Sequence, residues 1–303
     1  MKQQIAAGLA ALCLVGLAGC SAPESTVSDT AEAASPAAES AAESTAAAET
    51  PEPQAAEVTL DETVIYDADG VRITATGLDT DGLMGPELTL RIENGTAQNL
   101  VVQPAWCTVN GYMMSDLFSA DVAAGKTANE SFYFPSTALA RCGVDTVAEI
   151  GLQLKIIDGG TYQILTTTEG VTLQTSAAGS YTQTYDDSGE EIYNANGVRV
   201  VAQQMTEDLF GQNLCFYVEN TSDRAVVVES EDLSVNGYMV SNFFYADVVP
   251  GARAVEPLTL LNSELEDNGI ETVDTVEFSL KLVDPDSFST IDQTDPITLQ
   301  PGA

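Results

Sequence analysis

Apolar and polar residues alternate along most of the chain after residue 57. VRITATGL (71–78), ELTLRIEN (87–94) and LCFYVEN (214–220) each read as half-buried strands. LVVQPAWCTV, YMMSDLFSADV, ESFYF, TVAEIGLQLKII and TYQILTTT extend the series from residue 100 to 168. Turn signals separate them: Asp69-Gly70, Asn94-Gly95, Asn110-Gly111 and Asp158-Gly159-Gly160. Asn-Gly between two strand-like runs is a hairpin cue, because both central residues of a type I′ turn need positive φ. STALARCG (136–143) and NSELEDNG (262–269) read as single helical turns ending at glycine.

The pattern occurs twice. IYDADGVRITA (65–75) returns as IYNANGVRVVA (192–202). From Asn94 to Asp158, 23 of 65 positions are identical 126 residues later. The densest match is VNGYMMSDLFSADVAAG (109–125) with VNGYMVSNFFYADVVPG (235–251). Two homologous β-domains are therefore expected, at 58–176 and 183–303, with an Ala-Gly-Ser linker at 177–182. Seven or eight short strands in each predict tandem immunoglobulin-like β-sandwich domains, with a jelly roll or small barrel as the alternative. Strand–helix–strand units are missing, which argues against a doubly wound fold.

The first 57 residues differ in kind. An apolar run from Ile5 to Leu17 follows a single lysine. It is shorter than a membrane span, and small residues close it. Leu17-Ala18-Gly19-Cys20 is similar to the lipobox of bacterial lipoproteins. That resemblance implies a signal peptide at 1–19, and diacylglyceryl transfer to Cys20. At about 0.8 kcal/mol per buried CH₂, two acyl chains anchor far better than one. Residues 20–57 form an Ala/Glu/Ser/Thr/Pro tether with eight acidic residues, no basic residue and no aromatic. Such a segment buries too little apolar surface to order itself. As a flexible coil it spans roughly 30–35 Å. The tether resembles those of Gram-positive surface lipoproteins. The repeats look like the uncharacterised immunoglobulin-like modules of such proteins: LxLxIEN, then VNGYM with ADV and glycine, then GLQLKIID or EFSLKLVD. The resemblance implies an extracytoplasmic, lipid-anchored chain at the cell membrane. No activity travels with it.

Charge and composition narrow the chemistry. The chain carries 46 acidic residues, 10 basic ones and no histidine, for a net charge of −36. A nucleic-acid partner is excluded by charge repulsion. Histidine-based triads, imidazole bases and histidine metal ligands are excluded by composition. No cofactor motif is present, and no metal site is expected. Asp67-x-Asp69 and Asp79-x-Asp81 look like fragments of a Ca²⁺ loop. The second copy puts Asn194 and Asn196 where the first has Asp67 and Asp69, a swap that turns tolerate and calcium does not. Asp187-Ser188-Gly189 is a lone aspartic-protease-like triplet, and that chemistry needs two.

Cys107 and Cys142 align with Leu233 and Asn268, so the second copy lacks both cysteines. Their joint presence predicts a disulfide, which would stabilise by roughly 3–4 kcal/mol. Cys215 sits between Leu214 and Phe216 and reads as a structural thiol. The repeated 109–125 and 235–251 blocks read first as a hairpin essential to the fold. Phe243, Phe244 and Tyr245 form an aromatic run within the second block, and alternation turns at least one of them outward as a binding spot. The function expected is a non-catalytic binding or scaffold module. Its partners are the membrane, through the lipid anchor, and an unidentified protein or glycan. The alternatives are a transporter's solute-binding lipoprotein or a carboxylate-based surface hydrolase.

Overall fold

Period-two patterning in the sequence becomes strands that bury one face. In the computed structural model the segment Glu87–Asn94 alternates half-buried and buried residues without a break. The structure describes residues 58–114 and 117–301. The signal peptide, Cys20 and the tether lie outside the described residues. Ala55–Ala303 form a compact unit of their own.

The first half runs β1 (Thr63–Ala68), β2 (Val71–Asp79), β3 (Glu87–Asn94), β4 (Leu100–Val109), β5 (Tyr112–Met113), β6 (Ala120–Val122) and β7 (Lys126–Tyr133). The one-turn helix α1 (Ser136–Arg141) follows, then β8 (Glu149–Asp158), β9 (Ile164–Thr167) and β10 (Val171–Gln174). The second half repeats the series. It runs β11 (Glu190–Ala195), β12 (Val198–Glu207), β13 (Gly211–Asn220), β14 (Val226–Val235), β15 (Tyr238–Met239), β16 (Tyr245–Val248) and β17 (Arg253–Leu261). It closes with α2 (Asn262–Asp267), β18 (Val276–Val283), β19 (Thr290–Gln293) and β20 (Ile297–Leu299).

The architecture is all-β, in sandwich-like layers. One sheet is β1-β2-β3-β7, and its counterpart in the second half is β11-β12-β13-β17. The other sheet of the first half, β10-β8-β4-β5, matches the β14 and β18 sheet of the second. A parallel pairing at Arg253 and Tyr112 joins β17 to β5, so β10-β8-β4-β5-β17-β13-β12-β11 is one continuous sheet. Two apolar cores result, one filled by residues such as Ile73, Leu90 and Phe132, the other by Val200, Phe216 and Phe278.

The hairpin cues hold at Asp69-Gly70 and Asn110-Gly111, where both residues have positive φ, as they do at the repeat counterparts Asn196-Gly197 and Asn236-Gly237. Asn94-Gly95 is different. It carries the chain from one sheet to the other, and neither residue is left-handed. Asn94 is instead buried, donating from Nδ2 to the Gln98 and Val122 carbonyls at 2.9 and 3.0 Å. YMMSDLFSADV is also not one strand. Its ends pair with opposite ends of β4, which itself bulges against β8 between Pro104 and Trp106.

The Cys107–Cys142 disulfide expectation is not met: both residues are buried thiols, as is Cys215. Their joint presence has two separate causes. Cys107 fills the inward core position that Leu233 fills in the other half. Cys142 ends α1, where the second half covers it. Its counterpart Asn268 is only half-buried and donates to the Glu264 carbonyl at 2.8 Å.

Candidate functional site

The VNGYM block earns its repetition through the fold. Asn110 Nδ2 donates to the Thr146 carbonyl at 2.7 Å, and its Oδ1 accepts from the Ala148 and Glu149 amides at 2.9 and 3.0 Å. Asn236 repeats this with Thr272, Asp274 and Thr275 at 2.7, 3.0 and 2.9 Å. Each asparagine thus ties a hairpin to the start of the neighbouring strand. Phe118 and Phe244 are both core residues, Phe244 lying 4.8 Å from the Phe216 ring.

The aromatic run splits as alternation requires. Phe244 is buried, whereas Phe243 and Tyr245 are exposed. Phe243 has Leu117, also exposed, at the same place in the first half. Tyr245 has Ser119 there, so it belongs to the second half alone.

The aspartates singled out serve local structure. Asp67 pairs with Arg72 at 2.7 Å, and Asp69 accepts from the Tyr66 hydroxyl at 3.2 Å. Asp79 Oδ1 accepts the Asp81 amide at 2.8 Å. Asp187 pairs with Arg199 at 2.8 Å.

What the sequence reading missed is the joint between the halves. Its signal was present. The first half has Thr74, Thr89, Arg91 and Asn129 where the second has Val201, Cys215, Tyr217 and Val255. Four polar residues of an outer sheet face thus become less polar. In the structure those four join the core of the first half. Strand β13 is therefore buried on both faces, which is why LCFYV is a nearly unbroken apolar run.

Polar contacts fix the joint in register. The Arg253 amide donates to the Gly111 carbonyl at 2.9 Å. Arg253 packs its guanidinium 4.0 Å from the Tyr185 ring centroid and pairs with Glu219 at 2.6 Å. Tyr185 meets the Tyr112 ring at 5.3 Å, and its hydroxyl donates to the Asn110 carbonyl at 3.1 Å. Arg141 Nε donates to the Val255 carbonyl at 2.8 Å, while its NH2 group lies 3.4 Å from Glu256. Beyond Arg253 the edge of β17 is thus capped by an arginine from the other half.

Several recesses open beside this joint, two of them larger than the one at Asn110 and Tyr185. One, of about 600 Å³, is lined by Arg141, Gln203, Gln204, Asn213, Cys215 and Thr259. The other, of about 430 Å³, is lined by Trp106, Met113 and Met114 from the first half and by Tyr245, Asp247 and Glu256 from the second. The second recess brings together Trp106 and Tyr245, far apart in sequence. Gly151 and Gly170 seat the Trp106 ring: a Cβ on Gly170 would lie 2.8 Å from Cζ2, and one on Gly151 3.1 Å from Cζ3.

Burial sets the titration of the groups at the joint. Burial pushes the Cys142 thiol up to about 12, with Arg141 pulling it back only in part. Burial raises Cys215 as well. Both are therefore thiols near neutral pH, and weak nucleophiles. Burial also raises the Glu256 carboxyl, against the opposing pull of Arg141.

No family model matches this chain, and no curated protein matches it. Among solved structures it is similar to a calcium-binding mutant of Bacteroides uniformis beta-glucuronidase 2, with 12% identity and a TM-score of 0.21. The match covers 71% of this chain and 26% of that one, so the chain spans about a quarter of that enzyme's length, and the likeness bears on neither fold class nor activity.

Proposed function

We propose that this protein is a membrane-anchored extracytoplasmic lipoprotein, held through Cys20. Its two immunoglobulin-like β-sandwich repeats would act as a non-catalytic binding module for a protein or glycan. The observation that carries the binding reading is the recess of Trp106 and Tyr245 at the joint. An aromatic-lined concavity of a few hundred Å³ is the usual form of a ligand site. A continuous sheet and an arginine-capped edge hold its two walls, so a ligand meets preset geometry. The acidic tether and the lipobox-like Leu17-Ala18-Gly19-Cys20 support the anchoring reading.

Two measurements test the two parts. Cys20→Ala is expected to move the protein from the membrane fraction to the soluble fraction of its producing cell. Continued membrane retention of that variant would remove the anchor. Screening the chain on glycan and protein arrays is expected to yield a ligand whose signal falls roughly tenfold or more in Trp106→Ala and in Tyr245→Ala. A ligand indifferent to both changes binds elsewhere, and the recess reading then fails.

A further inference from the structure

The duplication separates what the shared fold requires from what it does not. Residues common to both halves, such as Asn110 and Asn236 or Phe118 and Phe244, are accounted for by hairpins and cores. Exposed apolar side chains common to both, such as Tyr162 and Phe288, belong to the shared module. Trp106 is not common, since the second half has Asp232 in its place. The two glycines that seat it have Glu277 and Pro296 as counterparts. Tyr245 is not common either, since the first half has Ser119. These separate departures from the repeat converge on one recess.

From this convergence we propose that the recess binds an organic ammonium group carrying an apolar body. This inference rests on the recess being the ligand site. Trp106 and Tyr245 supply aromatic lining, and an aromatic quadrupole attracts a cation. Met113 and Met114 supply a polarizable apolar wall. Asp247 supplies a carboxylate to the lining, beside Glu256, which is paired with Arg141.

The surrounding charges keep the recess negative. Arg141 is engaged by Glu256 and the Val255 carbonyl. Lys281 is shared between Glu229 and Glu231, at 3.2 and 3.0 Å. Burial, Asp247 and Glu229 raise the Tyr245 hydroxyl, which therefore stays neutral. An anionic ligand meets repulsion here, and a neutral one forgoes the electrostatic attraction. A cation without an apolar body leaves the aromatic and thioether surface unused.

Trp106 is the only tryptophan in the chain and lies in the recess wall, so its fluorescence reports occupancy directly. The test titrates the full chain with phenethylammonium chloride and, separately, with its neutral analogue 2-phenylethanol at matched salt. Saturable fluorescence change is expected with both, with half-saturation roughly tenfold lower for the ammonium. Asp247→Asn is expected to remove most of that preference while leaving the response to the alcohol. Glu256→Gln provides the same readout if the first variant does not retain the wild-type circular dichroism spectrum. Equal half-saturation for the two probes overturns the cation inference and leaves the recess as a ligand site. No saturable change with either probe, up to its solubility limit, overturns both.

Discussion

Replacing Asn220 with leucine lowers stability by roughly 2–4 kcal/mol, since each stranded buried polar partner costs about 1–3 kcal/mol. Asn220 is fully buried, at 0% exposure. Its Nδ2 donates to the Arg224 and Val248 carbonyls at 2.8 and 2.7 Å. Its Oδ1 accepts from the Ser222 amide and hydroxyl at 3.0 and 2.6 Å. Leucine keeps the volume and removes all four bonds, leaving the Val248 carbonyl without this donor in a dry site. For a unit of this size the melting temperature falls by about 5–15 °C. Asn94→Leu behaves alike, because Asn94 makes the same set of contacts in the first half. Thermal melts followed by circular dichroism measure both. An unchanged midpoint in either variant removes the asparagine as a pin between the sheets.

Tyr112→Ala and Tyr238→Ala are expected to diverge although the two tyrosines occupy the same place in identical VNGYM motifs. Tyr112 is 1% exposed, and the second half and Tyr185 cover it. Truncating a buried aromatic costs about 3–5 kcal/mol. Tyr238 is 52% exposed, and its truncation falls within about 0.5 kcal/mol. Urea denaturation of the two variants gives the comparison. Equal losses would mean that Tyr112 is not buried at the joint. The Tyr112 change also loosens β5, which carries the link to β17, so the two halves are expected to unfold less cooperatively.

Much of this fold was legible because strand formation leaves a local mark. ELTLRIEN and LVVQPAWCTV match β3 and β4 residue for residue, and both short helices end at the glycines that stop them. Those features depend on neighbours within a few residues. Asn94-Gly95 was misread for the opposite reason. The dipeptide fits a hairpin, but the partner of Asn94 is the Val122 carbonyl, 28 residues away. The cysteines were misread for a similar reason. Burial of Cys142 is imposed by a sheet that begins some 50 residues later, and no local pattern announces it.

The candidate site was legible only in fragments. Tyr245 stood out as part of an aromatic run, whereas Trp106 sits in an ordinary strand pattern whose repeat carries Asp232. Nothing in either stretch says that they meet. By itself the sequence determined the β class, the duplication, the hairpins and the acidity, since each follows from residue type and short-range periodicity. The tertiary structure alone decided that the halves share a sheet, that one VNGYM tyrosine is buried and its twin open, and that Trp106 and Tyr245 line one recess. The two meet only as its lining residues, and these outcomes depend on which outer face one half lays against the other. That choice is made by apolar area and edge hydrogen bonds summed over a whole surface.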